Sequence, residues 1–233
     1  RRMEKALDTE DVVVENDLKT QTLAEDEQRF EDNLQKFRTA VAGNEGKYNL
    51  IIAAQQGKVL RQLNVALDKV VGKQGESDFQ IINLIRLLFL GDDKFPDIAT
   101  AKTQVTKALS GFPFWPVKNK KKQPDFDKIV FWSENHLFMT LGSCYLFRQY
   151  DLNPEAKTAA PETQAIILQE LNKKLETKLL KIYLRAHCLT EFNGLYEANS
   201  TVYLPYSLSG LLNLYDFSID EEVKELAHKI IDR

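Results

Sequence analysis

The sequence predicts an all-α fold of stacked antiparallel helical hairpins. Apolar residues recur at the three- and four-residue spacing of amphipathic helices through most of the 233-residue chain. Almost no segment shows the alternation of apolar and polar residues that is typical of strands. Loops, many of them short, separate the apolar patterns, and short loops place successive helices side by side in opposite directions.

Residues 1 to about 20 are charged and poorly periodic, which predicts an N-terminal arm ahead of one helical domain at 21–233. The chain begins at Arg1 and ends within a helical pattern. We therefore expect a processed product or the N-terminal part of a longer protein. In order, the predicted helices are Thr22 to Val41, Lys47 to Val71, Ser77 to Leu90, Ile98 to Leu109, Ser133 to Tyr150, Pro161 to His187, Leu204 to Tyr215 and Ser218 to Ile231.

Local signals set the ends of these helices. Thr22 with Glu25, and Ser218 with Glu221, fit the capping box, in which the two side chains satisfy the first free amides of a helix. Ser133 is a predicted N-cap for the central helix. Other predicted ends rest on Gly43, Gly46, Gly72, Gly75 and Pro161.

Two segments depart from the plain amphipathic pattern. Ser77 to Leu90 is apolar nearly all round, which predicts an inner, buried helix. Residues 110 to 127 form a long loop with three prolines and the aromatic residues Phe112, Phe114 and Trp115. A long aromatic loop in a helical domain covers a core or lines a cleft.

Composition excludes several classes of function. A formal net charge of −3 gives no global field that would attract nucleic acid or an anionic membrane, and the basic cluster Lys118 with Lys120 to Lys122 is typical of a solvated loop. The longest apolar run, Ile81 to Leu90, is too short to span a bilayer. Phosphate-binding loops, dinucleotide fingerprints, nucleophile elbows and metal motifs are absent, so we expect no cofactor and no metal.

The two cysteines, Cys144 and Cys188, fall among apolar residues and predict buried free thiols; one disulfide between helices is the alternative. Asn199-Ser200-Thr201 is a glycosylation sequon, which matters if the protein is secreted or luminal. The sequence leaves the compartment open.

Two short segments combine groups capable of proton chemistry with aromatic rings. The first is Phe131 to His136, which precedes the central helix, and the second is Gly194 to Tyr203, which precedes the next predicted inner helix. Both lie at predicted helix ends, about sixty residues apart.

These segments resemble the motifs of a largely uncharacterised family of (α/α) toroids, related in fold to six-hairpin glycosidases and toroidal polysaccharide lyases. The resemblance covers roughly residues 130 to 233 and implies an incomplete toroid-like ring, which further hairpins C-terminal to this chain would extend. The residues that carry it are Trp132, Glu134, Asn135 and His136; Gly194, Glu197, Ser200 and Tyr203; and Leu211, Leu212, Leu214 and Asp216.

The resemblance implies a carbohydrate-active protein that binds a polysaccharide or oligosaccharide. In a hydrolase, Glu134 and Glu197 would flank the sugar as general acid and general base. In a lyase, Asn135 would neutralise a uronate carboxylate while His136 and Tyr203 move the proton beside it, with Arg185 as an anion contact. The other predicted substrate-binding residues are Trp115, Trp132, Tyr196, Asn199 and Ser200.

Each of these residues also has a structural interpretation. Glu134 can cap the central helix, Glu197 can make a salt bridge, and the aromatic rings can be part of the packing. The alternative function is therefore a non-catalytic helical scaffold or a sugar-binding subunit of an assembly.

Overall fold

The computed structural model describes residues 28–29, 31–33, 35–36, 59–73, 77–90, 97–114, 133–189, 195–196 and 199–232. All regular structure in these ranges is helical, which confirms the all-α prediction. The chain divides into two compact units, Arg1–Gly46 and Lys47–Arg233. In the first unit the described residues are helical, and Gln28 Nε2 donates to Asp32 Oδ1 at 2.9 Å. The predicted arm at 1–20 and the Thr22 capping box lie outside the described residues.

The second unit contains the helices that position the candidate site. They are α1 (Val59–Val71), α2 (Ser77–Leu88), α3 (Ile98–Ser110), α4 (Glu134–Leu152), α5 (Pro161–Asn172), α6 (Leu175–Cys188), α7 (Leu204–Phe217) and α8 (Glu221–Ile231).

Helices α2 and α4 form the centre of the core. In α2 every residue except Arg86 is buried, which confirms the predicted inner helix. In α4, burial also extends around most of the helix, and it includes Tyr145 at 0% exposure and Gln149 at 0% exposure. Two of its buried polar side chains are paired: Tyr145 OH with Ser218 Oγ at 3.0 Å, and Gln149 Nε2 with the carbonyl of Phe217 at 2.8 Å.

Helices α2, α4 and α7 run in the same direction. At the first turns of α2 and α7, the rings of Phe79 and Tyr206 lie 4.2 Å apart. At their last turns, Arg86 donates to Asn213 Oδ1 at 2.9 Å and to Asp216 Oδ2 at 2.7 Å. Because matching ends are paired, the two helices are parallel.

Contacts of α4 extend this arrangement. His136, in the first turn of α4, pairs with Asp78, in the first turn of α2. Gln149, near the end of α4, bonds the last residue of α7. The first turns of α2, α4 and α7 therefore lie at one end of the molecule, which we call the N-terminal end of the core.

Helices α6 and α8 run in the opposite direction to these three. His187 at the end of α6 meets Glu134 at the start of α4, and Glu176 at the start of α6 meets Arg148 near the end of α4. Pairs between Lys181 and Asp220, and between Cys188 and Leu226, align α6 with α8. The fold thus has a layer of parallel inner helices and an adjacent pair of reversed helices.

One predicted element is wrong in detail. The single helix predicted from Pro161 to His187 is two helices, α5 and α6, separated at Lys173 and Lys174, where Lys174 adopts an extended conformation. Neither residue is Gly or Pro, and the apolar period of the sequence continues across the break. The sequence therefore does not indicate where the first helix ends. The break allows Leu171 of α5 and Leu180 of α6 both to reach the core.

Caps were predicted with partial success. Ser133 precedes α4 in an extended conformation, but its side chain makes no cap hydrogen bond. The N-cap of α8 is Asp220, which accepts from the amide of Glu222 at 3.1 Å, and not Ser218. Ser218 is buried and instead accepts from the Asp220 amide at 2.9 Å, which shapes the turn before the helix.

Both cysteines are free, as predicted, but only Cys144 is buried, whereas Cys188 is half-buried. Among the described residues, no helix is both long and apolar enough to cross a bilayer. The predicted lysine-rich loop at 118–122 is outside the described residues.

Candidate functional site

The first turn of α4 sends its three polar side chains to three different places. Glu134, Asn135 and His136 are consecutive, so their side chains diverge by about 100° per residue around the helix. Glu134 faces α6 and the segment before α7, His136 faces α2, and Asn135 is bonded by Ser133.

His136 is held by a buried aspartate. Its Nδ1 bonds Asp78 Oδ2, and the side chains are 14% and 2% exposed respectively. The other carboxylate oxygen, Asp78 Oδ1, accepts from the amide of Phe79 at 3.1 Å. Within the described residues, His136 Nε2 has no hydrogen-bond partner. The pair is therefore an aspartate that orients an imidazole, with the second ring nitrogen available to take up or deliver a proton.

Asp78 was missed by the sequence analysis. It lies in the first turn of α2, where an acidic residue is explained by the helix dipole alone. Its only signal was its position at the start of a helix that is apolar on all sides, and no motif links it to His136, 58 residues away.

Glu134 is buried and bonds groups on two other segments. Its Oε1 accepts from the amide of Tyr196 at 2.8 Å and bonds His187 Nε2 at 3.1 Å. The Tyr196 contact joins the two motif segments. The carboxylate is only 7% exposed, so it lines no open cleft in this conformation.

His187 was given no role by the sequence analysis, because it lies in an ordinary helical pattern. In the structure it is buried in the last turn of α6, against the rings of Phe138 and Tyr183. Burial alone would lower the pKa of His187, but hydrogen bonds to Glu134 and to the carbonyl of Tyr183, together with the Glu134 charge, outweigh it and raise the pKa above the ordinary 6.5.

Asn135 has unused hydrogen-bonding capacity. It is 1% exposed, and Ser133 Oγ donates to its Oδ1 at 2.5 Å. Its Nδ2 has no partner among the described residues, and the same is true of Ser207 Oγ in the first half of α7. An unpaired buried donor is costly, so this position favours a hydrogen-bonding guest.

The segment before α7 presents aromatic rings to solvent. Tyr196 is 94% exposed and Tyr203, the N-cap of α7, is 45% exposed. Asn199 is exposed, and Ser200 Oγ accepts from the Tyr203 amide at 3.0 Å, which builds the turn into the helix. Tyr206, by contrast, is buried against Phe79 and belongs to the packing.

Of the remaining predicted residues, Arg185 is not brought to this group. Arg185 donates through Nε to Glu222 Oε1 on α8 at 2.6 Å, so its guanidinium is engaged away from His136. Trp115, Trp132 and Glu197 lie outside the described residues, and their roles stay predictions. In the part of the chain that the structure describes, no group of His, Cys, Asp and Glu side chains could hold a metal ion.

No family model matches the chain, and no curated protein or solved structure matches it either. The geometry of the N-terminal end of the core is therefore the basis for its proposed function.

Proposed function

We propose that the protein is a carbohydrate-active enzyme of toroid-like fold that cleaves a uronate-containing polysaccharide by elimination, with His136 as its general base. The observation that carries this proposal is the pair of His136 with Asp78, which fixes one ring nitrogen and leaves the other unpartnered among the described residues.

The arrangement of helices supports the toroid-like interpretation. An (α/α) toroid has parallel inner helices and reversed outer helices, which is the relation of α2, α4 and α7 to α6 and α8. Toroids hold their ligands on the loops that enter the inner helices, and His136, Asn135 and Tyr203 all lie at such positions. The similarity of layout is an argument about fold, so the chemistry must rest on the residues.

Elimination fits the available groups better than hydrolysis does. It needs a base to remove the proton from the carbon beside the carboxylate and an acid to protonate the departing glycosidic oxygen as the carbon–oxygen bond breaks. It also needs a donor that neutralises the carboxylate. His136 Nε2, the Tyr203 hydroxyl and Asn135 Nδ2 can fill these roles. Hydrolysis would require Glu134, whose carboxylate is already bonded to His187 and to the Tyr196 amide.

The experiment is an assay against polygalacturonate, alginate and glycosaminoglycans that follows the ultraviolet absorbance of the unsaturated uronate product. We expect turnover by the wild type and a loss of about 100-fold or more in His136→Gln. His228→Gln is the matched control, because His228 is exposed on α8 and pairs with Asp232.

A second candidate function is a non-catalytic scaffold, which the burial of Glu134 favours. The release of new reducing ends without the ultraviolet absorbance of an unsaturated uronate would indicate hydrolysis. The absence of any product, together with lower stability in the His136 variant, would indicate the scaffold.

A further inference from the structure

Helix α6 has an apolar face on each of two opposite sides. Its buried face, which includes Leu180 and Leu184, packs into the core. On the other side, Leu175 and Ile182 are 60% and 61% exposed. We define the outer stripe of α6 as these two residues and two half-buried neighbours: Leu175, Leu179, Ile182 and Ala186. At about 100° per residue, the four lie within about 60° of one another around the helix and roughly opposite Leu184.

The spacing of the outer stripe is one that helices use to pack against other helices. Its members follow one another at intervals of four, three and four residues, which is the repeat that forms the apolar seam of a coiled coil. The neighbouring helix α8 has no such stripe, because its exposed residues are all polar: Glu221, Glu225, His228 and Lys229. The outer stripe is therefore an apolar surface beyond what the packing of α6 against the core requires.

We propose that the outer stripe docks an amphipathic helix of a partner protein, whose own apolar stripe is bordered by acidic residues. The charge of α6 favours this partner. Four basic residues follow one edge of the outer stripe, about 90° around the helix from it: Lys174, Lys178, Lys181 and Arg185. Lys181 and Arg185 are paired with acidic residues of α8. Lys174 and Lys178 are exposed and form no ion pair with any described residue, so carboxylates of a partner can pair with them.

A second copy of the chain fits this surface less well. If two copies of α6 packed antiparallel through Ile182, both basic edges would lie on the same side of the pair, where like charges repel each other. If they packed parallel, each basic edge would face the opposite edge of the other helix, which carries Glu176. The carboxylate of Glu176 is already bonded to Arg148, so it offers Lys178 no unpaired charge. An acidic partner avoids both problems.

The test uses the complete 233-residue chain and two synthetic peptides. Each peptide has about three heptads, with leucine at the positions that form the seam. One carries glutamate at the flanking positions and the other carries lysine, so that like charges keep each peptide from pairing with itself. By fluorescence anisotropy we expect saturable binding of the glutamate peptide and about threefold or more weaker binding of the lysine peptide. Added salt should reduce this difference.

Two variants and their controls assign the binding to the outer stripe. Ile182→Asp should weaken binding of the glutamate peptide about tenfold or more, because an apolar contact at the centre of the stripe is lost. Ile166→Asp adds the same charge on α5 at a residue that is 63% exposed, and it should bind as the wild type does. Lys178→Glu should weaken binding of the glutamate peptide and strengthen binding of the lysine peptide. Lys229→Glu makes the same change of charge on α8 and should alter neither affinity.

Equal binding of the two peptides, binding of neither, or an equal loss of affinity in Ile166→Asp and Ile182→Asp overturns the proposal. A wild-type dimer in light scattering that Ile182→Asp dissociates also overturns it, since the occupant would then be a second copy. In thermal melts, the two aspartate variants should agree within about 3 °C, because both residues are exposed. A much lower melting temperature for Ile182→Asp would mean that the chain itself covers the stripe, which again overturns the proposal. Because no carbohydrate is present, these results are independent of whether the protein is a lyase.

Discussion

Glu134 is a motif residue that the fold uses to join three elements. Its carboxylate links the start of α4 to the end of α6 through His187 and to the segment before α7 through the Tyr196 amide. A buried carboxylate in this position contributes to stability through these bonds, because without it each donor would lose its partner in a site with little access to water.

We therefore predict that Glu134→Ala lowers the free energy of unfolding by about 2–4 kcal/mol. Glu134→Gln should cost less, since its amide oxygen can still accept from Tyr196. Urea denaturation at neutral pH measures both changes. Glu225→Ala is the control, because Glu225 is 71% exposed and its pair with Lys229 is long at 3.9 Å, so a change within about 0.5 kcal/mol is expected. Equal stability of Glu134→Ala and the wild type would contradict the role of this carboxylate.

His187 predicts a pH dependence of global stability. Its pKa in the folded protein is raised, so the folded protein binds this proton more tightly than the unfolded chain does. The resulting stabilisation is fully present below the ordinary value of 6.5 and is lost as pH rises through the folded pKa. In urea titrations, the deficit of His187→Gln relative to wild type should thus be larger at about pH 5.5 than at about pH 9. A deficit that grows with pH would show that burial, rather than Glu134, dominates.

For individual residues, the sequence could predict which polar groups lie at helix ends, but not which residues they form hydrogen bonds with. His136 was identified because it follows a recognisable Trp-Ser-Glu-Asn run, and its partner Asp78 carries no such mark. His187 was passed over because it occupies a position where a core residue would fit equally well. Partner choice depends on how α2 and α6 are placed beside α4, which is a tertiary property.

Helices α4 and α7 pack closely at Gly210. A Cβ atom at Gly210 of α7 would lie 3.1 Å from the carbonyl carbon and oxygen of Phe138 in α4. These are backbone atoms, so they cannot move aside as a flexible side chain does. The absence of a side chain at Gly210 is what lets the two helices approach at this point.

Gly210→Ala should therefore destabilise the fold by about 1–3 kcal/mol, even though alanine is the better helix former. Gly111→Ala provides the comparison, since the nearest atom to its added Cβ is 4.0 Å away. Gly142→Ala should fall between them, because it meets only the side chain of Leu214, at 3.3 Å. Thermal melts of the three variants test this order, and a neutral Gly210→Ala would show that the helices can separate without cost.

The spacing of apolar residues in the sequence predicted most of these helices, because helix formation and the position of the apolar face depend on neighbouring residues. Ser77 to Leu88 was identified as an inner helix from its apolar character on all sides, and its burial follows directly. The break between α5 and α6 was not predictable in this way. Lys173 and Lys174 are compatible with a helix, and the chain turns there because Leu171 and Leu180 must both reach the core.

At the scale of the whole molecule, the relative direction of the helices is the property that short-range sequence patterns did not predict. Hairpins of neighbouring helices were predicted from the loops, but the parallel set of α2, α4 and α7 arises from contacts more than 50 residues apart along the chain, such as those of Asp78 with His136 and Arg86 with Asp216. This arrangement brings three helix N-termini to one end, and their aligned dipoles favour negative charge there. The buried carboxylate of Asp78 is suited to that field, and so would be the carboxylate of the proposed uronate substrate.

The two thiols differ in burial, and we therefore expect them to differ in reactivity. Cys144 is buried in α4 at the centre of the core, and burial raises its pKa to about 11, so almost none of it is thiolate at neutral pH. Cys188, which is half-buried at the end of α6, is closer to solvent.

With iodoacetamide under native conditions, we expect Cys188 to react first and Cys144 to react only as fast as the core opens, because the thiolate is the reactive species. The variant Cys188→Ser, followed by mass spectrometry, isolates Cys144, and added urea should accelerate its labelling in step with global unfolding. A reductant should leave the melting temperature unchanged, since both thiols are free. Labelling of Cys144 that is fast in the absence of urea would instead mean that α4 leaves the core without the rest of the protein unfolding.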